Sequence, residues 1–334
     1  MRVRPLHLIG WLVTGLVIAG LATWGTLALY YLAPGSDALR LMLAGTFGML
    51  GLAALGSLFF QRARRWGLIG FMFALLPVLL LWLEAEPRND RDWQPELAVL
   101  PYASFDGERV TIHNIRNFDY RSETDFTPAY HDKTFDLNRL DRVDLVASYW
   151  MGPAIAHLFL SFGFGDDHLA ISIEARKDKS QPYSTLAGFF RQYELIYVVA
   201  DERDLIRLRT DFRADPPEEV YLYRLQATAA NIRRVFLDYL RAINELREHP
   251  RFYNSLTTNC TTTILTHTTV NPGHVPYSWK VLLSGYVPEY LYDLGRLDRS
   301  VPFDDFREQA HINAAARAAG GSPEFSRLIR EEIR

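Results

Sequence analysis

Three uncharged apolar runs fill the first quarter of the chain. They span Leu8 to about Leu32, Leu41 to Phe60 and Trp66 to Leu83. Each is long enough to cross the hydrocarbon core of a bilayer as a helix. A soluble three-helix bundle would show polar faces, and these segments show almost none. The first run exceeds the apolar core of a cleaved leader and two more follow it closely, so it reads as a retained span.

The charges set an orientation. Residues 1–84 hold six basic side chains (Arg2, Arg4, Arg40, Arg62, Arg64 and Arg65) and two acidic ones, Asp37 and Glu84. Arg2 and Arg4 precede the first run, "QRARR" (Gln61–Arg65) separates the second from the third, and the loop "APGSD" has no basic residue. Positive-inside reasoning puts the N-terminus and "QRARR" in the cytoplasm. Three crossings then place everything after Glu84 on the periplasmic face of a bacterial inner membrane. The remainder carries 30 basic and 37 acidic side chains, an acidic balance that argues against nucleic acid as a partner.

Beyond a charged, Pro-containing linker (85–104), the pattern is that of a folded domain (105–300) with a helical tail (301–334). "RVTIHNI", "LDRVDLVASYW", "YELIYVVA" and "EVYLYRLQ" read as strands. "HLFLSFGF" and "HLAISIEAR", joined by "GDD", read as a hairpin. "DLIRLRTDF" reads as a further strand, with Asp201–Arg213 a solvated, ion-paired face. Ile232, Val235, Phe236, Tyr239, Leu240, Ile243 and Leu246 recur at helical spacing after a Thr228 N-cap. The expected fold is α+β: an antiparallel sheet with packed helices behind three transmembrane helices.

"FYNSLTTNCTTTILTH" holds Cys260, the only cysteine. One cysteine excludes an intrachain disulfide and a multi-cysteine zinc site. Thr257, Thr258 and Asn259 are capping types, so Cys260 is expected in the first turn of a helix, where the helix dipole favours a thiolate. Two readings stand: a nucleophile, or a small buried residue.

A thiol nucleophile needs a base. His113, His131, His249 and His274 read as surface residues. His267 lies about 10 Å of axial rise from Cys260, too far for contact. His157 opens a strand after the small-residue stretch "GPAIA", and is preferred. His168, in the turn after "GDD", is the alternative base. With the hairpin turning near Asp166, His157 falls opposite Glu174 or its immediate neighbours; Glu174 is then its orienter or a plain ion-pair partner, and Arg176, also in range, a rim salt bridge. Without an HExxH motif or close ligand spacing among the histidines, neither a metal nor a cofactor is expected.

These pieces in this order resemble the circularly permuted papain-like, NlpC-type enzymes, in which His precedes Cys. More specifically, "GPAIAHLFLSFGF", "LAISIEARKD", "GFFRQYELIYVVADERDLIRLRT" and "RFYNSLTTNCTTTI" resemble the periplasmic domain family named after the Lnb lipoprotein N-acyltransferase, over about residues 105–290. The resemblance implies that Cys260 takes an acyl group from a phospholipid donor with His157 as base. The acyl chain then passes to a lipoprotein N-terminus or another amine. Tyr253, Asn259 or backbone N–H groups would stabilise the oxyanion. A lipid-ester hydrolase, a peptidoglycan amidase and a non-catalytic envelope module are the competing readings.

Overall fold

The structure is a computed structural model that describes residues 5–331. Arg2 and Arg4, which carry part of the orientation reading, lie outside the described residues. Two compact units are present: residues 1–87 with 183–192, and residues 88–182 with 193–334.

The first unit contains helices α1 (Pro5–Leu32), α2 (Asp37–Ser57) and α3 (Gln61–Glu84). All three are long and apolar enough to cross a membrane. Their outward faces carry large apolar side chains such as Leu16, Met49 and Phe73, as lipid-facing helices require. Close approach is made through small residues: a methyl group added at Gly51 would meet Ala22, and one at Gly67 would meet Ser57. Tyr183–Gln192 belongs to this unit. Phe190 stacks on Tyr31 at 5.4 Å, and the Arg191 guanidinium donates to the carbonyls of Trp82 and Ala85 at 2.5 and 3.1 Å.

The second unit is built on a mostly antiparallel sheet. Its strands are β1 (Tyr102–Asp106), β2 (Arg109–Arg116), β5 (Tyr130–Asp136), β6 (Leu140–Tyr149), β7 (Ala156–Phe164), β8 (Asp167–Arg176), β9 (Glu194–Ala200) and β10 (Glu219–Arg224). They are ordered β1-β2-β9-β8-β7-β6-β10, with β5 also paired to β2. Two short strands, β3 (Asp119–Tyr120) and β4 (Phe126–Thr127), pair separately. Both sheet faces are covered, which is why β7, β8 and β9 are apolar almost throughout rather than cleanly alternating.

On one face lie α5 (Ala229–Glu248) and α6 (Cys260–Thr268). Phe162 of β7 meets Phe236 and Tyr239 of α5 at ring distances of 5.0 and 5.7 Å. The other face packs Val146, Phe159 and Val198 against α4 (Glu202–Arg207), α10 (Asn313–Ala319) and α11 (Phe325–Leu328). Short helices α7 (Trp279–Leu282), α8 (Val287–Asp293) and α9 (Phe303–Gln309) complete the unit. Thr228 caps α5, its side chain accepting from Asn231 N–H. The chain is therefore an α+β protein behind three membrane-spanning helices.

One local expectation is overturned. "DLIRLRTDF" is not a strand: it forms α4 and a π-helical stretch, Leu208–Phe212. Nor is it a solvated face, since Glu202, Asp204 and Arg209 are buried. Asp204 pairs with Arg116 at 2.6 Å. Glu202 and Asp144 share Arg330 at 2.5 and 2.8 Å. Burial opposes ionisation of Glu202, yet Arg330 outweighs it and holds the carboxyl down to about 2. Replacing Arg330 by Met removes the guanidinium from buried Glu202 and leaves Asp144 with Arg224 alone. The expected loss is about 3–5 kcal/mol, read as a lowered urea midpoint, whereas Arg327→Met at an exposed pair leaves the midpoint unchanged.

Candidate active site

The loop before β7 is clamped at both ends of its exit. The Ser284 hydroxyl donates to the Ala156 carbonyl at 2.6 Å and accepts its N–H at 3.0 Å. Gly285 N–H donates to the Ala154 carbonyl at 3.0 Å. A Cβ at Gly285 would lie 2.0 Å from the Pro153 carbonyl oxygen, so no other residue fits there. This fixes where β7 starts, and with it His157.

β7 and β8 pair from Phe164/Asp167 at the turn to Leu160/Ile171. Past that point β7 stays paired with β6 and β8 with β9, but not with each other. His157 and Glu174 flank the resulting gap, and their side chains meet: His157 Nε2 lies 3.1 Å from Glu174 Oε1. Ser172 stands between them. Its hydroxyl donates to Glu174 Oε1 at 2.7 Å and lies 2.7 Å from His157 Nε2. Because that hydroxyl proton is committed to Glu174, the network assigns a proton to Nε2 and leaves Nδ1 for the remaining partner.

That partner is Cys260, the first residue of α6. Asn259 caps the helix: its side-chain oxygen accepts Thr262 N–H at 2.9 Å, and its own N–H donates to Thr262 Oγ1 at 3.0 Å. This capping box holds the thiol in the first turn. The half-buried sulfur also receives the Leu158 N–H and couples to the His157 ring. Burial raises the thiol pKa, but the charge and hydrogen bond of His157, with the Leu158 N–H, bring it below the ordinary value. Burial likewise lowers His157, and Glu174 and Cys260 more than reverse this, lifting it to about 9. Glu174 is held well below the usual carboxylate range against burial, by His157, Arg209 and Ser172.

Arg209 and Ser172 are the two members that sequence reasoning missed. Arg209 is 2 % exposed, on the π-helical stretch, and donates to Glu174 Oε1 at 3.2 Å. Behind it Glu218 accepts from Arg213 at 2.7 Å and from Ser148. The signal for Arg209 was weak: one basic residue within a run that mimics strand alternation.

Other sequence candidates fall elsewhere. His168 is six strand residues, about 20 Å, from Glu174 and feels Glu202 and Arg330 instead. Tyr253 is buried, and its N–H donates to the Tyr193 carbonyl at 3.0 Å. The Asn259 amide nitrogen is engaged by the Ser255 carbonyl at 2.8 Å, so both ends of that side chain serve the cap. His267, two turns beyond Cys260, is buried between Asp238 at 2.7 Å and the Tyr197 hydroxyl at 2.6 Å. Among the described residues no group of three or more His, Cys, Asp or Glu side chains could hold a metal ion.

A cavity of about 140 Å³ lies between α5, α6, α8 and the sheet. Its walls include Leu158, Leu160 and Phe162 of β7 and Thr261, Ile264 and Leu265 of α6. Leu158 and Thr261 are the chain neighbours of His157 and Cys260.

Fold and site together define a membrane-anchored α+β domain with a Cys–His–Glu cluster at a helix N-terminus. Residues 126–285 match the sequence profile of the Lnb N-terminal periplasmic domain, and over this stretch the chain belongs to that family. With its three spans it is a multi-pass inner-membrane protein carrying a periplasmic soluble domain. No curated protein and no solved structure matches it.

The pKa shifts predict an unusual stability profile. His157, raised from 6.5 to about 9, contributes stability that is complete below pH 6.5 and lost as pH rises through 9. Cys260, lowered from 9.0, contributes stability that is present above pH 9.0 and lost as pH falls. Between pH 6.5 and 9 the two slopes run in opposite directions. The thermal midpoint of the wild type is expected to vary less across that window than that of Cys260→Ser. In Cys260→Ser only the His157 slope survives, and the midpoint should fall steadily, as thermal melts at closely spaced pH values would register.

Proposed function

We propose that the periplasmic domain is a Cys-dependent acyl-transfer enzyme that works through a thioester. The observation that carries this reading is the meeting of Cys260, at the N-terminus of α6, with a His157 ring oriented by Ser172 and Glu174. The Cys260 sulfur bonds to the carbonyl carbon of a lipid ester while His157 holds the thiol proton. The tetrahedral oxyanion collapses, the C–O bond breaks, and the leaving alkoxide takes that proton from His157. An acceptor then attacks the thioester, His157 removes its proton, and the thiol is restored. With an amine, such as a lipoprotein N-terminus, the product is an amide; with water it is a fatty acid.

Backbone N–H groups of the first turn of α6 are the best oxyanion donors. Tyr253 and Asn259 are weaker candidates, Asn259 because its amide is spent on the cap. Glu174 keeps the imidazolium charged and correctly turned rather than accepting a proton. A chain held at a bilayer meets lipid esters without a soluble carrier, which favours a phospholipid donor. In this arrangement the N-terminus and Gln61–Arg65 face the cytoplasm.

The test is mass spectrometry of the Cys260 peptide after incubating the full chain in vesicles of isotope-labelled phospholipid. A hydroxylamine-sensitive acyl adduct is expected. It should be absent in Cys260→Ser and form at least a hundredfold more slowly in His157→Ala. Absence of the adduct in the wild type, together with cleavage of peptidoglycan fragments, would move the reading to an amidase; an unreactive thiol would leave a binding module.

A further inference from the structure

The cavity along α6 has no role in the chemistry just described, yet its placement is specific. Its α6 lining residues, Thr261, Ile264, Leu265 and Thr268, recur at helical spacing and so form one stripe along the helix. From Thr261 to Thr268 the stripe runs about 10 Å. One end adjoins the chain neighbours of Cys260 and His157. The other reaches Gln226, Asn231, Asn271, His274 and Arg296, polar side chains in a lining that is mainly apolar. Asn271 and Arg296 already have partners: Asn271 bonds the Asn231 carbonyl at 3.2 Å and Arg234 at 2.8 Å, and Arg296 bonds the Gly273 carbonyl at 2.6 Å. They close the far end of the slot with polar side chains.

A narrow apolar slot of this shape suits an unbranched hydrocarbon chain. A peptide would leave its backbone N–H and C=O groups unpaired there, so the slot disfavours a peptidoglycan stem. We propose that this cavity receives the fatty-acyl chain, with the carboxyl end at Cys260 and the methyl end toward Asn271 and Arg296. The assignment rests on the acyl-transfer reading and adds to it where the chain lies and what limits its length. Leu265 and Ile264, pointing into the slot from α6, set its bore.

The experiment uses the full chain as Cys260→Ser, so that binding is read without turnover. The protein is placed in phosphatidylethanolamine–phosphatidylglycerol vesicles with octanoic acid that carries a terminal diazirine, a chain whose length matches the slot. After illumination, adducts are mapped by mass spectrometry. The expected adducts fall within residues 264–271 and 287–296, and drop at least tenfold when Leu265→Phe fills the slot. Ile264→Phe serves as the second filling variant should the first fold poorly, and an undiminished thermal midpoint marks a folded one. Adducts confined to the three membrane helices, or unchanged by a folded filling variant, would overturn the assignment. The outcome is separable from that of the acyl-transfer reading. Slot adducts alongside a wild type that forms no thioester would retire the enzyme and keep the slot. A thioester that forms without slot adducts would do the reverse.

Discussion

The site depends on one carboxylate staying ionised where burial opposes it. Glu174 Oε1 receives Ser172, His157 and Arg209 together. Three donors, one of them a buried guanidinium, outweigh the desolvation of a single oxygen. With Glu174 charged, His157 is held in one orientation and favours its protonated form. A protonated ring beside Cys260 in turn favours the thiolate. Were Glu174 neutral, the ring would lose its main anionic partner, and the thiol would return toward the ordinary value for a buried cysteine.

This electrostatic chain is possible because of where the sheet comes apart. A continuous β7–β8 ladder would turn His157 and Glu174 into an ordinary cross-strand pair on the face that packs against α4. Separation beyond Leu160 and Ile171 opens a slit through which the thiol, mounted on a helix of the opposite face, reaches the same imidazole. The Leu158 N–H, on a stretch without pairing to β8, donates to sulfur instead. The clamp of Ser284 and Gly285 on the preceding loop keeps β7 from sliding, which would move every side chain to the wrong face.

Much of this was legible in the sequence, for identifiable reasons. A two-residue turn at Gly165–Asp166 fixes hairpin register, so counting brought His157 opposite Glu174 or its immediate neighbours. The run of capping residues before Cys260 announced a helix start. Ser172 was invisible because a serine inside "AISIE" fits a strand pattern without any special role. Arg209 was misread because buried ion pairs defeat periodicity: Glu202, Asp204 and Arg209 look solvated until Arg116, Arg330 and Glu174 are brought to them from distant parts of the chain. The slot along α6 was likewise hidden, since apolar residues that line a cavity have the same pattern as those that fill a core.

The most direct measurement is the pH dependence of Cys260 alkylation by iodoacetamide, in the wild type and in Glu174→Gln. The thiolate–imidazolium account predicts rapid alkylation by the wild type at neutral pH. It predicts a profile displaced toward higher pH once Glu174 loses its charge. A wild-type profile like that of a free thiol, unchanged by Glu174→Gln, would contradict it.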